Sequence, residues 1–189
     1  MKKKYDTITF LFLFLSAFAI ASCKNVKSES QNTDHVAETI TKDFTASFVG
    51  TYTYVGPDTL DAPKCIGDFS DYFRIIVDCQ GTSELLGSVE VHFDFCGHQD
   101  GRYGNAYAHM VDQQSDTVFV SCEGTVIQGR TEAHPSFVTS YWKDPFVILG
   151  GTGKYKGATG AGMTNDYNSS EDPNSHHQWK GTLTMGQSE

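Results

Sequence analysis

The sequence predicts an all-β domain, either an antiparallel barrel that is closed or nearly closed, or a β-sandwich. About eight short runs of β-branched and aromatic residues are separated by turns rich in Gly, Asn and Asp. One run, Ser88–Cys96, alternates cleanly between polar and apolar side chains. No window after the amino-terminal segment has apolar residues at the three- and four-residue spacing of a helix. A barrel is favoured because closure removes the exposed edges of a sheet.

The predicted strands follow one another along the chain, and each ends at a turn signal. Two polar segments, Asp58–Asp71 and Thr164–Ser175, are predicted to be loops. The predicted strands are Phe48–Val55, Tyr72–Cys79, Ser88–Cys96, Asn105–Val111, Thr117–Cys122 with a continuation over Gly124–Gln128, Phe137–Trp142, Phe146–Leu149 paired with Lys154–Lys156, and His176–Met185.

A glycine-rich stretch, GGTGKYKGATGAG, follows the apolar run Phe146–Leu149. It predicts a β-hairpin with a tight turn at Gly150–Gly153 and a second strand over Lys154–Lys156. The spacing does not match a phosphate-binding loop, because Ile148 stands where that motif begins with Gly. It does not match a dinucleotide-binding fingerprint either, since Lys156 stands where the third Gly is due. We therefore expect these glycines to serve turn geometry and barrel bending.

The first 22 residues are predicted to be a lipoprotein signal peptide. Lys2–Lys4 precede an apolar run, residues 9–21, that is short for a membrane span. Small residues and then Cys23 end this run, which resembles the lipobox of bacterial lipoproteins. The resemblance implies cleavage after Ser22 and attachment of lipid to Cys23. The alternative is a plain signal peptide or anchor with an incidental Cys.

Residues 23–43 are polar and predict a flexible tether that leads to a β-barrel domain over residues 44–189. Removal of the leader takes away three Lys and Asp6, so the net charge changes from −9 to −11. This acidic balance argues against nucleic acid and against docking on anionic lipid. Membrane contact is expected through Cys23 alone. Lys24 resembles the outer-membrane address of Gram-negative lipoproteins, which places the domain in the cell envelope, facing the periplasm or the exterior.

Four further cysteines lie in the domain: Cys65, Cys79, Cys96 and Cys122. In an oxidising compartment an even count predicts disulfides, and three pairings are possible. We favour Cys65–Cys79 and Cys96–Cys122, because the latter two lie near strand ends separated by one hairpin. A zinc site is the alternative, but neither a CxxC nor an HxxxH spacing occurs. No bound metal is expected.

Three segments of the second half of the chain resemble one family. They are Leu86-Gly87 before the alternating strand, Met110–Val118 around an acidic turn, and Gly150–Gly160, which is the most specific. Similar segments occur in bacterial secreted proteins of the allene oxide cyclase barrel-like group, which are related in shape to dirigent proteins. The resemblance implies a calycin-like antiparallel barrel with a lumen. It departs at Leu85, where His is usual. It does not imply the plant cyclase reaction, because we cannot match that enzyme's catalytic residues to positions in this chain.

The clearest polar set lies on the alternating strand, where Glu90, His92 and Asp94 share one face. A His flanked by carboxylates can transfer protons or bind a metal, so Glu90 and His92 are the catalytic candidates. The alternative is an exposed polar face, with the Val and Phe side chains inside. His109 and Asp112 could join His92 in a two-His, one-carboxylate metal site if their strands pair.

Aromatic side chains are frequent on the predicted strands. They either fill the barrel or line a cavity for an apolar ligand. For a cavity, the ligand-binding candidates are Tyr107, His109, Phe119 and Tyr141. His176-His177 point to opposite faces of a strand and are expected at the surface.

These features are compatible with three functions. We favour a lipid-anchored barrel that binds a small apolar or amphipathic ligand, or a protein partner, without catalysis. The second is an isomerase or cyclase in which Glu90 or His92 acts on a hydrophobic ligand. The third is a purely structural envelope protein. No cofactor is expected, and the GxSxG nucleophile motif does not occur. A homo-oligomer is possible by analogy with dirigent-type barrels.

Overall fold

Eight antiparallel strands close into a barrel, and three short strands extend it at one end. The computed structural model describes residues 38–59 and 61–187, so the predicted signal peptide and Cys23 lie outside the described residues. The strands are β1 (Thr39–Gly56), β2 (Phe73–Ser83), β3 (Gly87–Gly97), β4 (Arg102–Asp112), β5 (Thr117–Thr125), β6 (Ile127–Gln128), β7 (Val138–Trp142), β8 (Pro145–Gly151), β9 (Thr159–Thr164), β10 (Asp166–Ser169) and β11 (Ser175–Gly186).

The order of strands around the barrel is β1, β2, β3, β4, β5, β8, β9 and β11, and β11 pairs with β1 to close the sheet. β10, β7 and β6 follow one another outward from β11. The predicted all-β antiparallel barrel of about eight strands is confirmed, and the sandwich alternative is excluded. Short 3₁₀ turns at Gly67–Phe69 and Gly153–Tyr155 are the helical segments of the described residues.

The apolar face of β3 lines the interior of the barrel. Val89, Val91 and Phe93 are buried, whereas Glu90 and His92 are exposed. The predicted alternation is confirmed, and the structure shows which face is inside. Burial of a large apolar side chain contributes roughly 1.5–3 kcal/mol, which fixes the register of such a strand.

One end of the barrel is plugged by the connection between β8 and β9. The predicted strand over Lys154–Lys156 is wrong, because Gly153–Tyr155 forms a 3₁₀ turn and β9 begins only after it. Gly153 and Gly157 have φ values of +49° and +72°, which favour glycine and interrupt a strand. The turn directs Tyr155 into the barrel, where its side chain is fully buried.

The disulfide pairing also differs from the prediction. Cys65 is bonded to Cys96, and Cys79 and Cys122 are free and buried. The loop after β1 folds back towards the end of β3, because Arg74 pairs with Asp58 of the loop and with Asp94 of β3. The Asp58 carboxylate also accepts a hydrogen bond from the Cys65 backbone N–H at 2.7 Å. The two free thiols lie on β2 and β5 and point into the barrel. The predicted pairs Cys65–Cys79 and Cys96–Cys122 are therefore wrong.

Two segments predicted to lack regular structure contain strands. β1 begins at Thr39, and residues 39–43 pair with the end of β11, so these five residues belong to the barrel and not to the predicted tether. β10 lies inside the predicted loop Thr164–Ser175; its four residues pair with β7, and two of them, Tyr167 and Asn168, also pair with β11. Within the described ranges, no helix has the length and apolar character needed to cross a membrane.

Candidate functional site

A cavity of about 100 Å³ lies at the end of the barrel opposite the Tyr155 plug. Most of its wall is apolar, because alternate residues of the barrel strands point inward, as Val77, Phe93 and Trp179 do. β7, which lies outside the closed barrel, contributes Trp142. Both tryptophans of the chain therefore line this cavity.

One wall of the cavity is polar, and β10 and β11 build it. Ser175 and His177 are two residues apart on β11, so their side chains point to the same side, together with Trp179. β10 pairs with the start of β11, which brings Asp166 next to His177. Asp166, Ser175 and His177 are only 3%, 1% and 6% exposed. These polar groups are therefore removed from bulk water but line the cavity.

The imidazole of His177 lies between Ser175 and Asp166. Its Nε2 is 2.8 Å from Ser175 Oγ, and its Nδ1 is 3.1 Å from Asp166 Oδ2. The second contact is short but is not directed as a hydrogen bond, so Nδ1 has no hydrogen-bond partner among the described residues. The ring stacks on Phe48 and Phe93, with centroids 4.8 and 5.3 Å away. Packing thus holds the ring beside the cavity, and Nδ1 is left without an aligned hydrogen-bond partner.

Two donors from β11 position the carboxylate of Asp166. The backbone N–H of Gln178 donates to Oδ1 at 3.1 Å, and Trp179 Nε1–H donates to Oδ2 at 3.1 Å. Ser175 Oγ lies 3.3 Å from the carbonyl oxygen of Gly50, to which it can donate. A Cβ at Gly50 would lie 2.8 Å from Ser175 Oγ. Glycine at this position therefore keeps the space around the serine hydroxyl open.

Tyr52 lies at the mouth of the cavity, on β1. Its hydroxyl donates to Asn168 Oδ1 at 3.1 Å. Burial raises the pKa of the Tyr52 phenol, and hydrogen bonds with Asn168 and Ser175 partly oppose that rise. The phenol is therefore neutral at pH 7, with its oxygen beside the polar wall.

A second polar cluster lies across the cavity from this wall. The Tyr103 hydroxyl donates to Asp144 Oδ2 at 2.9 Å, and the Tyr103 hydroxyl oxygen also lies 3.3 Å from Cys122 Sγ. Burial raises the pKa of Tyr103 and of Asp144, and it raises the pKa of Cys122 to about 12. The Cys122 thiol is therefore protonated at neutral pH and is a poor nucleophile.

The cavity continues into a groove of about 410 Å³ on the outside of the barrel. Ile75, Phe95, Tyr103 and Val126 line both spaces. Polar side chains that include Arg102 surround the outer part of the groove. The inner space suits an apolar group, and the groove can hold a longer or more polar part of the same molecule.

The predicted catalytic residues Glu90 and His92 lie on the outer wall of the barrel, away from the cavity. His92 Nδ1 is 2.6 Å from Asp78 Oδ1, and its ring centroid is 6.4 Å from that of His109. Asp112 is buried at the plugged end, so the set of His92, His109 and Asp112 does not form. The part of the chain that the structure describes contains no group of three or more His, Cys, Asp or Glu residues that could hold a metal ion.

The four predicted ligand-binding residues also lie away from the cavity. Tyr107 is exposed on β4, Phe119 packs against His109 on the outer wall at a ring distance of 5.2 Å, and Tyr141 lies on the outer side of β7. None of them lines this cavity. The inward positions of these strands belong to neighbouring residues such as Ala108.

Sequence reasoning missed the three residues of the polar wall. It placed His177 at the surface and did not select Ser175 or Asp166. The available signal was the alternation along β11, which puts His177 on the same face as the large apolar Trp179. Asp166 gave no such signal, because β10 is only four residues long.

The fold and the site define a class: an eight-stranded antiparallel barrel, plugged at one end, with an apolar cavity and a polar wall at the other. Among solved structures, the chain is similar to the pterocarpan synthase dirigent protein GePTS1, with a TM-score of 0.49 and 12% sequence identity, over 80% of this chain and 88% of that chain. No protein-family model and no curated protein matches the chain.

Proposed function

We propose that the protein is a lipid-anchored envelope barrel that binds a small apolar or amphipathic molecule in the cavity below Tyr52. One observation carries the proposal: an apolar cavity with a polar wall that includes His177, whose Nδ1 is buried and without a hydrogen-bond partner among the described residues. A buried polar atom without a partner costs roughly 1–3 kcal/mol. A ligand whose oxygen contacts His177 and turns the ring slightly, so that Nδ1 gains a partner, would recover part of that free energy.

The size of the cavity limits what the ligand can be. Dry apolar cavities of about 150 Å³ bind benzene, and this cavity measures about 100 Å³. The inner part of the ligand is therefore a short alkyl chain or one edge of a ring that extends into the outer groove, with one oxygen near His177. A longer or more polar part would lie in the outer groove, which measures about 410 Å³.

Attachment to the membrane is part of the same proposal. The lipobox-like sequence at Cys23 supports a lipid anchor. The net negative charge of the chain does not favour additional electrostatic binding to anionic lipid. Proton-transfer chemistry at Glu90 or His92 is not proposed, because both side chains face solvent on the outer wall.

Binding can be measured through the intrinsic fluorescence of the protein, since Trp142 and Trp179 both line the cavity. We would titrate the purified protein with toluene and with benzyl alcohol, which differ by one hydroxyl. We expect both to change the emission saturably, and benzyl alcohol to bind at least about tenfold more tightly because its hydroxyl reaches His177. The His177→Phe variant should bind the two molecules equally tightly, with its affinity for toluene unchanged.

A matched pair of variants tests the location. Ala106 lines the cavity and is buried, so Ala106→Leu should fill the space and prevent binding of either molecule. Ala161 lies exposed on β9, so Ala161→Leu adds the same side chain outside and should leave binding unchanged. Absence of saturable binding to the native protein, or equal binding by both variants, would overturn the proposal. Native mass spectrometry of protein from its own organism would then show whether a discrete small molecule is bound at fixed stoichiometry.

A further inference from the structure

The polar wall of the cavity holds a hydroxyl, an imidazole and a carboxylate in the order that nucleophilic catalysis requires. We propose that Ser175, His177 and Asp166 form a relay that takes the acyl group from a small ester bound in the cavity. The inference rests on the ligand cavity proposed above and gives it a reaction and a substrate class. Three facts carry it: the linear order of contacts, the burial of all three side chains, and their place on the cavity wall.

The distances assign a role to each group. The single proton of Ser175 Oγ has two acceptors within reach, His177 Nε2 at 2.8 Å and the carbonyl oxygen of Gly50 at 3.3 Å. The shorter contact favours Nε2, which makes His177 the base. Asp166 Oδ2, 3.1 Å from Nδ1, favours the tautomer that carries its proton on Nδ1 and leaves Nε2 free to accept. Asp166 is thus a positioning residue.

The contact between His177 and Asp166 is close but not aligned as a hydrogen bond. Catalytic hydrogen bonds are commonly misaligned before substrate binds and tighten in the complex. Asp166 itself is held in place by two donors from β11. A small reorientation of the imidazole is therefore sufficient to complete the relay.

Tyr52 provides a donor for the negative charge that develops during the reaction. Its phenol donates to Asn168 Oδ1 in this structure and lines the same cavity as Ser175. Rotated away from Asn168, the same O–H would donate to the oxyanion formed from the ester carbonyl. Its position at the mouth places it where the substrate enters.

The reaction needs no reagent other than the ester and water. Ser175 Oγ bonds to the carbonyl carbon, and its proton moves to His177 Nε2. The ester C–O bond then breaks, His177 returns the proton to the departing alcohol oxygen, and the acyl group stays on Ser175. Water attacks that acyl group and gives a proton to His177, which passes it to Ser175 as the carboxylic acid leaves. The sum is ester plus water to alcohol plus acid.

Space restricts the acyl group to a short one. A cavity of about 100 Å³ accepts an acetyl or propionyl group, with the alcohol part in the outer groove, whereas a long acyl chain would have to displace the aromatic wall. We therefore expect turnover to fall at least about tenfold from acetyl to hexanoyl esters of the same alcohol.

The test is incubation of the purified full chain with p-nitrophenyl acetate, followed by peptide mass mapping. We expect one acetyl group on Ser175 and release of p-nitrophenol. Ser175→Ala should lose both, whereas Ser175→Cys should keep the acylation because a thiol replaces the hydroxyl. Ser121 points out of the barrel, so Ser121→Ala is the matched control. Asp166→Asn should slow acylation at least about a hundredfold. It should also lower the urea midpoint, because the two hydrogen bonds to this buried carboxylate lose their charge assistance, so acylation is compared well below that midpoint. Saturable toluene binding by the same variant shows that its cavity is still formed.

The toluene titration separates the two proposals. If the protein binds toluene saturably but Ser175 is never acetylated, the relay is overturned and the binding function stands. Acetylation that persists in Ser175→Ala, or that maps only to surface lysines, overturns the relay in the same way. If toluene does not bind and Ser175 is not acetylated, both proposals fail.

Discussion

Asp112 holds the plugged end of the barrel together, and its substitution tests the structure most directly. Its carboxylate is fully buried and accepts hydrogen bonds from the backbone N–H groups of Gln114 and Asp116 at 2.8 and 3.0 Å. It also accepts from the Tyr155 hydroxyl at 3.1 Å and pairs with Lys154 Nζ at 2.5 Å. Burial alone would raise the pKa of Asp112, but these donors outweigh burial and lower it.

The expected cost of Asp112→Asn follows from these contacts. The amide can still reach both backbone N–H groups and the Tyr155 hydroxyl, but those three bonds lose their charge assistance. A hydrogen bond to a charged group is worth about 1 kcal/mol more than a neutral one, so the loss is about 3 kcal/mol. The pair with Lys154 adds little, because Lys154 is 39% exposed and can be hydrated.

The pH dependence has a definite sign. A carboxyl group whose pKa is lowered by folding stabilises the protein above its unfolded pKa of about 3.9 and loses that contribution as the pH falls through the folded value. Asp112→Asn carries no such group. The deficit of the variant should therefore be largest at pH 7 and should shrink as the pH is lowered below about 4.

Urea unfolding of both proteins at pH 7 and pH 3, with the disulfide kept oxidised, measures these differences. Asp78→Asn is the matched control, because Asp78 is exposed on the outer wall and its substitution should cost less than about 1 kcal/mol. An Asp112→Asn variant within about 1 kcal/mol of the native protein at pH 7 would refute the reasoning. A deficit that stays constant down to pH 3 would refute the electrostatic part of it.

Three further predictions concern the cysteines and the outer wall. Replacing both Cys65 and Cys96 by Ala should cost about 3–4 kcal/mol in urea unfolding, because their disulfide closes a loop with a sequence separation of 31 residues. Cys79 and Cys122 should react with a thiol reagent only on unfolding, since burial raises the pKa of each to about 12; labelling in the folded state at neutral pH would contradict this. His92→Ala should leave toluene binding unchanged and shift stability by less than about 1 kcal/mol, because its ion pair is exposed.

The strand pattern of this chain could be predicted where alternation is regular. β3 alternates Val89, Val91 and Phe93 with polar residues, and its limits follow from that pattern to within one residue at each end. Which of its faces lies inside the barrel does not follow from the alternation, because a polar lumen would give the same pattern. The turn at Gly153–Tyr155 could not be predicted, because Lys154–Lys156 contains strand-forming Tyr155 between two lysines. What ends the strand is a positive φ at Gly153 and the room for a buried tyrosine in the barrel, and both depend on tertiary packing.

The cysteine pairing illustrates a second limit. Cys65 lies in a loop, and its partner depends on where that loop folds rather than on strand order. Asp58 caps two backbone N–H groups of the loop, and Arg74 joins Asp58 to Asp94 on β3. These contacts between distant residues bring Cys65 to the end of β3, and no local pattern in the sequence encodes them.

The polar wall of the cavity was the hardest feature to predict, and the reason bears on its role. Burying polar groups costs free energy unless they are fully hydrogen-bonded, so a barrel built only for stability would fill its interior with apolar side chains. Asp112 shows a buried carboxylate with all its donors in place. His177, in contrast, keeps Nδ1 without a hydrogen-bond partner in the described part of the chain. It does so beside Ser175 and Asp166, on the wall of the apolar cavity. Proteins depart from the rule that buried polar atoms are hydrogen-bonded mainly at functional sites, because there function and not stability constrains the sequence. The unpartnered His177 beside the cavity is therefore where we expect the function of this protein to lie.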